Sequence, residues 1–71
     1  MKIIVTRQND DGTYDNVGMN NRTLFSHYTT PTGALRYGVK PFSKGKKCRV
    51  EFFYGSIYDD PSSVIYWDPS I

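Results

Sequence analysis

The sequence predicts a small α+β domain, an antiparallel sheet of four or five short strands with one short helix in the order β-β-(β)-α-β-β. Short runs of β-branched and aromatic residues alternate with clusters of Asn, Asp, Gly and Pro, which is typical of strands joined by turns. A single segment carries helix start and stop signals, and no internal repeat or low-complexity linker is present. We therefore expect residues 1–71 to form one domain.

The first strands are expected to form a hairpin. Residues 2–8 are rich in β-branched side chains and lead into Asn9-Asp10-Asp11-Gly12, a cluster that favours turns and positive φ. Residues 13–19 are expected to return as an irregular or edge strand, because their alternation is weak. Residues 23–28 could form a further short strand, and this is the strand in parentheses.

The helix is expected to begin after Thr30, a good N-cap residue, with Pro31 at its first position. It is expected to stop near Val39, because Pro41 disfavours helical geometry in the residue before it. Two glycines weaken the segment, so we expect it to form only by packing on the sheet, with small residues on its inner face.

The clearest strand runs from Lys47 to Tyr54. Its alternation places Cys48, Val50, Phe52 and Tyr54 on the core face, and Lys47, Arg49, Glu51 and Phe53 on the other face. Residues 55–62 are expected to form a loop, and residues 63–67 the last strand. The predicted core comprises Ile3, Val5, Leu35, Val39, Val50, Phe52 and Val64.

Charge is segregated along the chain. Residues 36–49 hold six bases and no acid, whereas the remainder holds three bases and seven acids, for a net charge of +2. This asymmetry predicts a positive patch suited to phosphates or to an acidic protein surface. A solvated turn whose lysines protect a sheet edge from aggregation explains the same pattern. The six bases are Arg36, Lys40, Lys44, Lys46, Lys47 and Arg49.

Two aromatic residues join these bases as candidate partner-binding residues. Phe53 shares the outward face of its strand with Arg49, so it is expected to be exposed unless that face is covered. Tyr58 lies in a loop that combines tyrosines with adjacent carboxylates, and tyrosine is favoured at protein interfaces. Turn chemistry alone also accounts for that loop. No recognisable nucleic-acid motif accompanies these residues.

Nothing in the sequence predicts catalysis, a cofactor or a metal. The single Cys48 lies on the predicted core face, one His27 is too little for a zinc site, and no glycine-rich phosphate loop occurs. We therefore expect that the chain is not an enzyme. Only three consecutive apolar residues occur near the amino terminus, far fewer than a signal peptide or membrane span contains, so we expect a cytoplasmic protein without membrane contact.

The short chain, its opening Met1-Lys2-Ile3-Ile4-Val5 and its Asn-, Asp- and Tyr-rich turns resemble the small accessory proteins of bacteriophages and mobile elements, including anti-CRISPR proteins. The resemblance covers size and composition and no motif, so it assigns no residue a role. It implies a stoichiometric inhibitor or adaptor that occupies a site on a larger host protein or ribonucleoprotein complex. The alternative is a small nucleic-acid-binding protein that uses the basic patch. The oligomeric state stays open.

Overall fold

A computed structural model describes residues 1–70 of the chain. It contains one four-stranded antiparallel sheet with a helix across one face, which confirms the predicted α+β class and a β-β-α-β-β order. The strands are β1 (Lys2–Arg7), β2 (Arg22–Phe25), β3 (Cys48–Phe53) and β4 (Ser63–Trp67), in the spatial order β2-β1-β3-β4. No helix among these residues is long and apolar enough to span a membrane.

The helix, α1, spans residues 31–43 and lies on the crossover between β2 and β3, which flank β1. It covers what we call the helix face of the sheet, and the main core lies between the two layers. Of the predicted core residues, Leu35 is only partly buried and packs against this core, whereas Val64 lies on the opposite face and is 37% exposed. The fully or nearly fully buried core residues are Ile3, Val5, Ala34, Val39, Cys48, Val50 and Phe52.

The start of α1 follows the prediction, because the Thr30 hydroxyl accepts a hydrogen bond of 3.1 Å from the Gly33 N–H. The predicted stop near Val39 is wrong, since helical backbone continues through Pro41 to Ser43. A π-helical segment, Leu35–Val39, separates the α-helical turns Pro31–Ala34 and Lys40–Ser43. Its widened turn relaxes the helix just before the proline ring, which would otherwise clash with the preceding turn.

The predicted return strand over residues 13–19 does not form. These residues make an irregular loop that ends in the 3₁₀ turn Met19–Asn21. Side-chain hydrogen bonds replace a strand ladder there: the Asn21 amide donates to Asn9 Oδ1 at 3.2 Å, and the Asn9 amide donates to Thr13 Oγ1 at 2.9 Å. The optional strand predicted over residues 23–28 does form, as the shorter β2 that begins at Arg22, and it is the antiparallel partner of β1.

The alternation of β3 holds for Cys48, Val50 and Phe52, which face α1. The prediction for Tyr54 at its end is wrong. The strand stops at Phe53, so Tyr54 leaves the sheet and is 68% exposed. Phe53 points to the opposite face, as the alternation predicts, and is only 3% exposed. Ile57 and Tyr58 of the loop between β3 and β4 lie on that face beside Ile4 and Leu24, so the face is partly covered.

Candidate protein-interaction surface

The sheet face opposite α1, called the open face below, carries several apolar side chains, although strand alternation predicts mainly polar residues on a face that is not packed against the helix. Strand register places Ile4, Leu24, Val64 and Tyr66 on it, together with Phe53. Ile4 and Phe53 are buried, but the other three apolar side chains are exposed. Leu24 lies on β2, whereas Val64 and Tyr66 lie on β4 beyond Glu51 and Arg49, so the exposed apolar surface of this face is divided between its two edges.

A groove of about 610 Å³ crosses the open face above β1 and β2. Ile4 and Leu24 lie at its floor, because their Cα positions are paired in the sheet. Two loops bound it: residues 8–21 contribute Met19, and residues 54–62 contribute Ile57 and Tyr58. The side chains at its rim are unusually accessible, since Met19 is 89% exposed and Tyr58 is 93% exposed. The groove is thus a shallow apolar depression with two large side chains free to close on an inserted group.

Arg22 is the only charged residue that lines this groove. It makes no ion pair among residues 1–70, although Asp15 and Glu51 line the neighbouring hollow with it. Because Arg22 is not within ion-pair distance of either carboxylate, its guanidinium can bind a carboxylate that a ligand brings to the groove, and bidentate arginine–carboxylate bonds are strong and oriented. The groove therefore has an electrostatic preference as well as an apolar floor.

The six predicted basic residues do not form one continuous positive surface. Half of them have acidic neighbours: Lys46 pairs with Asp10 at 3.6 Å, and Arg49 pairs with Glu51 at 3.8 Å on the open face. Lys47 lies beside Asp68. Hydrogen bonds from Ser70 hold the pKa of that carboxyl below its usual value, and the charge of Lys47 lowers it further.

The other three bases, Arg36, Lys40 and Lys44, are exposed on α1 and at its end, and they make no ion pair among the described residues. The Arg36 guanidinium lies 5.5 Å from the ring centroid of the exposed Tyr37. Lys44 adopts a left-handed backbone conformation with φ 52°, which ends the helix. These three residues form a positive cluster that is smaller than the predicted six-residue patch.

The two aromatic candidates have opposite positions. Phe53 is buried, so a partner cannot reach it without unfolding the strand end. Tyr58 is exposed and stands at the rim of the groove. The sequence did not reveal Met19, Leu24 or Arg22 as neighbours of Tyr58, because two irregular loops and β2 bring them together. Pairing of residues 23–28 with residues 2–8 was the one signal that could have placed Leu24 beside Ile4.

The single cysteine of the chain does not provide an accessible thiol. Cys48 is fully buried, and burial raises the pKa of its thiol to about 11, so the thiol stays protonated at neutral pH. Within residues 1–70, no three His, Cys, Asp or Glu side chains come together as a metal site would need. Comparison of the chain with family models, with curated proteins and with solved structures finds no match.

Proposed function

We propose that this chain is a non-enzymatic protein-binding module that docks on a larger protein or ribonucleoprotein complex through the groove of the open face. One observation carries the proposal: three of the eight exposed large apolar side chains, Met19, Leu24 and Tyr58, line one groove together with Ile4. Such a concentration favours a contact surface over scattered exposure. Val64 and Tyr66 are exposed on the same face but at the other edge of the sheet, beyond Glu51 and Arg49 of β3.

The partner segment that fits the groove has one large apolar side chain and a neighbouring carboxylate. The apolar side chain would lie on Ile4 and Leu24, with Met19 and Tyr58 closing over it. The carboxylate would pair with Arg22, the only charged residue in the lining. Anchors of this kind, an aromatic or aliphatic group in a pocket with a surrounding rim, supply most of the binding free energy in protein interfaces.

We further propose that the module acts as an inhibitor, of the kind with which phages and mobile elements block host defence complexes. Its short length and its composition support this, since they resemble those accessory proteins. A chain of this size can offer the roughly 800 Å² that a specific interface needs from each partner. Occupation of a functional site on a larger complex requires only such an interface and no chemistry.

The test is capture of partners from host-cell extract by the immobilised chain, after nuclease treatment, with paired variants. Tyr58→Ala and Arg22→Glu should each weaken capture about tenfold or more, because both alter the groove. Tyr54→Ala is the matched control, since Tyr54 is an equally polar exposed aromatic outside the groove lining. Equal capture by Tyr58→Ala and Tyr54→Ala would contradict the proposal. A captured complex that keeps full activity would contradict inhibition.

The second candidate function is nucleic-acid binding, which Arg36, Lys40, Lys44 and the exposed Tyr37 favour. Cations beside an exposed aromatic ring provide both phosphate contacts and a stacking platform. Loss of all captured material on nuclease treatment would support this function over the first. Lys40→Ala combined with Lys44→Ala would then weaken binding, whereas Tyr58→Ala would not.

A further inference from the structure

The outer edge of β4 is unprotected. β4 borders only β3 in the sheet, and Ser63–Trp67 contains no charged residue and no proline. Natural edge strands usually carry a lysine, a proline or a bulge that prevents pairing with another chain. The opposite edge, β2, begins with Arg22. The β4 edge is therefore better suited than the β2 edge to pair with a strand of another chain.

Backbone alternation shows which groups β4 presents outward. The Gln8 N–H donates to the Lys47 carbonyl at 2.8 Å, so the backbone polar groups of Lys47 point toward β1. Because these groups alternate along an antiparallel strand, those of Arg49, Glu51 and Phe53 also point toward β1. Cys48, Val50 and Phe52 consequently point theirs toward β4. The 2.8 Å bond from the Ser62 N–H to the Phe52 carbonyl agrees with this direction.

In the register of β3 with β4, these residues pair with Trp67, Ile65 and Ser63. The backbone N–H and C=O groups of Val64 and Tyr66 therefore point away from the sheet. Among residues 1–70, no turn or loop backbone bonds to either residue. The edge thus offers two donors and two acceptors, spaced for another antiparallel strand.

We propose that β4 pairs antiparallel with β4 of a second copy of this chain, about a two-fold axis at Ile65. In that register Val64 bonds to Tyr66 of the second copy, and the symmetry repeats this pair, giving four backbone hydrogen bonds. The two four-stranded sheets become one sheet of eight strands. Both copies of α1 then lie on the same face, and the two grooves lie at the far ends of the joined sheet.

A second copy fits this edge because the edge is self-complementary. The outward residues are both apolar on the open face, so Val64 would pack against Tyr66 of the second copy, and such aliphatic–aromatic cross-strand pairs stabilise sheets. No charge within β4 favours an acidic or a basic partner. Pairing of identical edges also closes after two chains, whereas pairing of β4 with β2 would extend into a filament.

Sedimentation or light scattering over a range of chain concentrations measures whether the chain dimerises. Two substitutions of Val64 then test whether the backbone N–H of this residue is needed. Val64→Pro removes an outward N–H and leaves the ladder to β3 intact, since the Val64 N–H does not point toward β3. It should raise the dissociation constant of the dimer about tenfold or more, because the symmetric interface loses the bond twice. Val64→Ala keeps the N–H and should still dimerise. Leu24→Pro makes the equivalent change on the β2 edge and should also leave the dimer intact.

Amide hydrogen exchange of the unmodified chain gives a second readout if Val64→Pro does not fold. The Val64 and Tyr66 amides should exchange more slowly as chain concentration rises, while those of Arg22 and Leu24 on the β2 edge should not respond. A chain that stays monomeric at every concentration, open-ended oligomers, or equal dimerisation of Val64→Pro and Val64→Ala would each overturn the proposal. Tyr58→Ala should leave dimerisation unchanged, so this proposal and that of the groove fail separately.

Discussion

At the scale of single residues, Cys48 couples stability to pH. Burial raises the pKa of its thiol from 9.0 to about 11, so the folded chain keeps a proton that the unfolded chain releases at lower pH. This contribution to stability is fully present below about pH 9 and is lost as the pH rises through 11. The free energy of unfolding should therefore fall by up to about 1.4 kcal/mol per pH unit across that window because of this thiol.

Urea unfolding from pH 8 to 11 measures this effect against Cys48→Ala, which retains every other side chain of the protein. The variant should be less stable at neutral pH, because it leaves a small cavity, but its stability should fall less steeply above pH 9. Equal slopes for the two chains would mean that the thiol ionises without unfolding.

The burial of Phe53 predicts how strongly its truncation lowers the stability of the fold. Its side chain is buried on the open face, whereas alternation predicted exposure unless that face is covered. Alternation cannot show that Ile57 and Tyr58 lie on this face. Phe53→Ala should destabilise the fold by about 3–5 kcal/mol, whereas Tyr54→Ala should change stability by less than about 0.5 kcal/mol. Circular dichroism with urea unfolding distinguishes the two. A folded Phe53→Ala variant of normal stability that loses partner binding would restore Phe53 as a contact residue.

At the scale of elements, the approach of α1 to the preceding loop depends on Gly38. A Cβ built there would lie 2.7 Å from Cε2 of Tyr28, whose ring packs edge-on against Phe25 with centroids 5.8 Å apart. Gly38→Ala should destabilise the chain by about 1–3 kcal/mol, even though alanine favours a helix by about 1 kcal/mol. The cost should shrink when Tyr28→Ala is combined with it, which a double-mutant cycle measures. A stabilised Gly38→Ala variant would show that the ring moves freely.

The elements also show which parts of the fold local sequence patterns can predict. Composition and turn chemistry were sufficient for β1, β3, β4 and the start of α1, because each has a strong local pattern. They failed for residues 13–19, where hydrogen bonds of Asn9 and Asn21 hold a loop that no periodicity describes. They also failed at Pro41, since a π-helical turn accommodates a proline that local rules treat as a stop.

At the scale of the whole molecule, the groove lies over β1 and β2, whereas the pairing edge is β4 at the other end of the same sheet. The sequence predicted neither of these two surfaces. The groove combines two loops with two strands, so it depends on tertiary contacts. The basic segment was visible in the sequence, and so was Glu51 on the same strand face as Arg49, but only folding brings Asp10 beside Lys46 and Asp68 beside Lys47. Of the predicted partner-binding residues, Tyr58 is the one that lines the groove.

This charge distribution predicts how partner binding depends on salt. Of the six bases within residues 36–49, Arg36, Lys40 and Lys44 have no acidic partner among the described residues, so binding of nucleic acid through these three would give a log-affinity against log-salt slope of roughly −2 to −3. Docking through the groove relies on burial of apolar surface with one ion pair at Arg22, so its affinity should change much less between low and physiological salt. Titration of the captured partner at several salt concentrations measures the slope. Lys40→Ala with Lys44→Ala should lower the association rate slightly and leave the dissociation rate unchanged, whereas Tyr58→Ala should raise the dissociation rate. A steep slope that this double substitution abolishes would instead place the contact surface on α1.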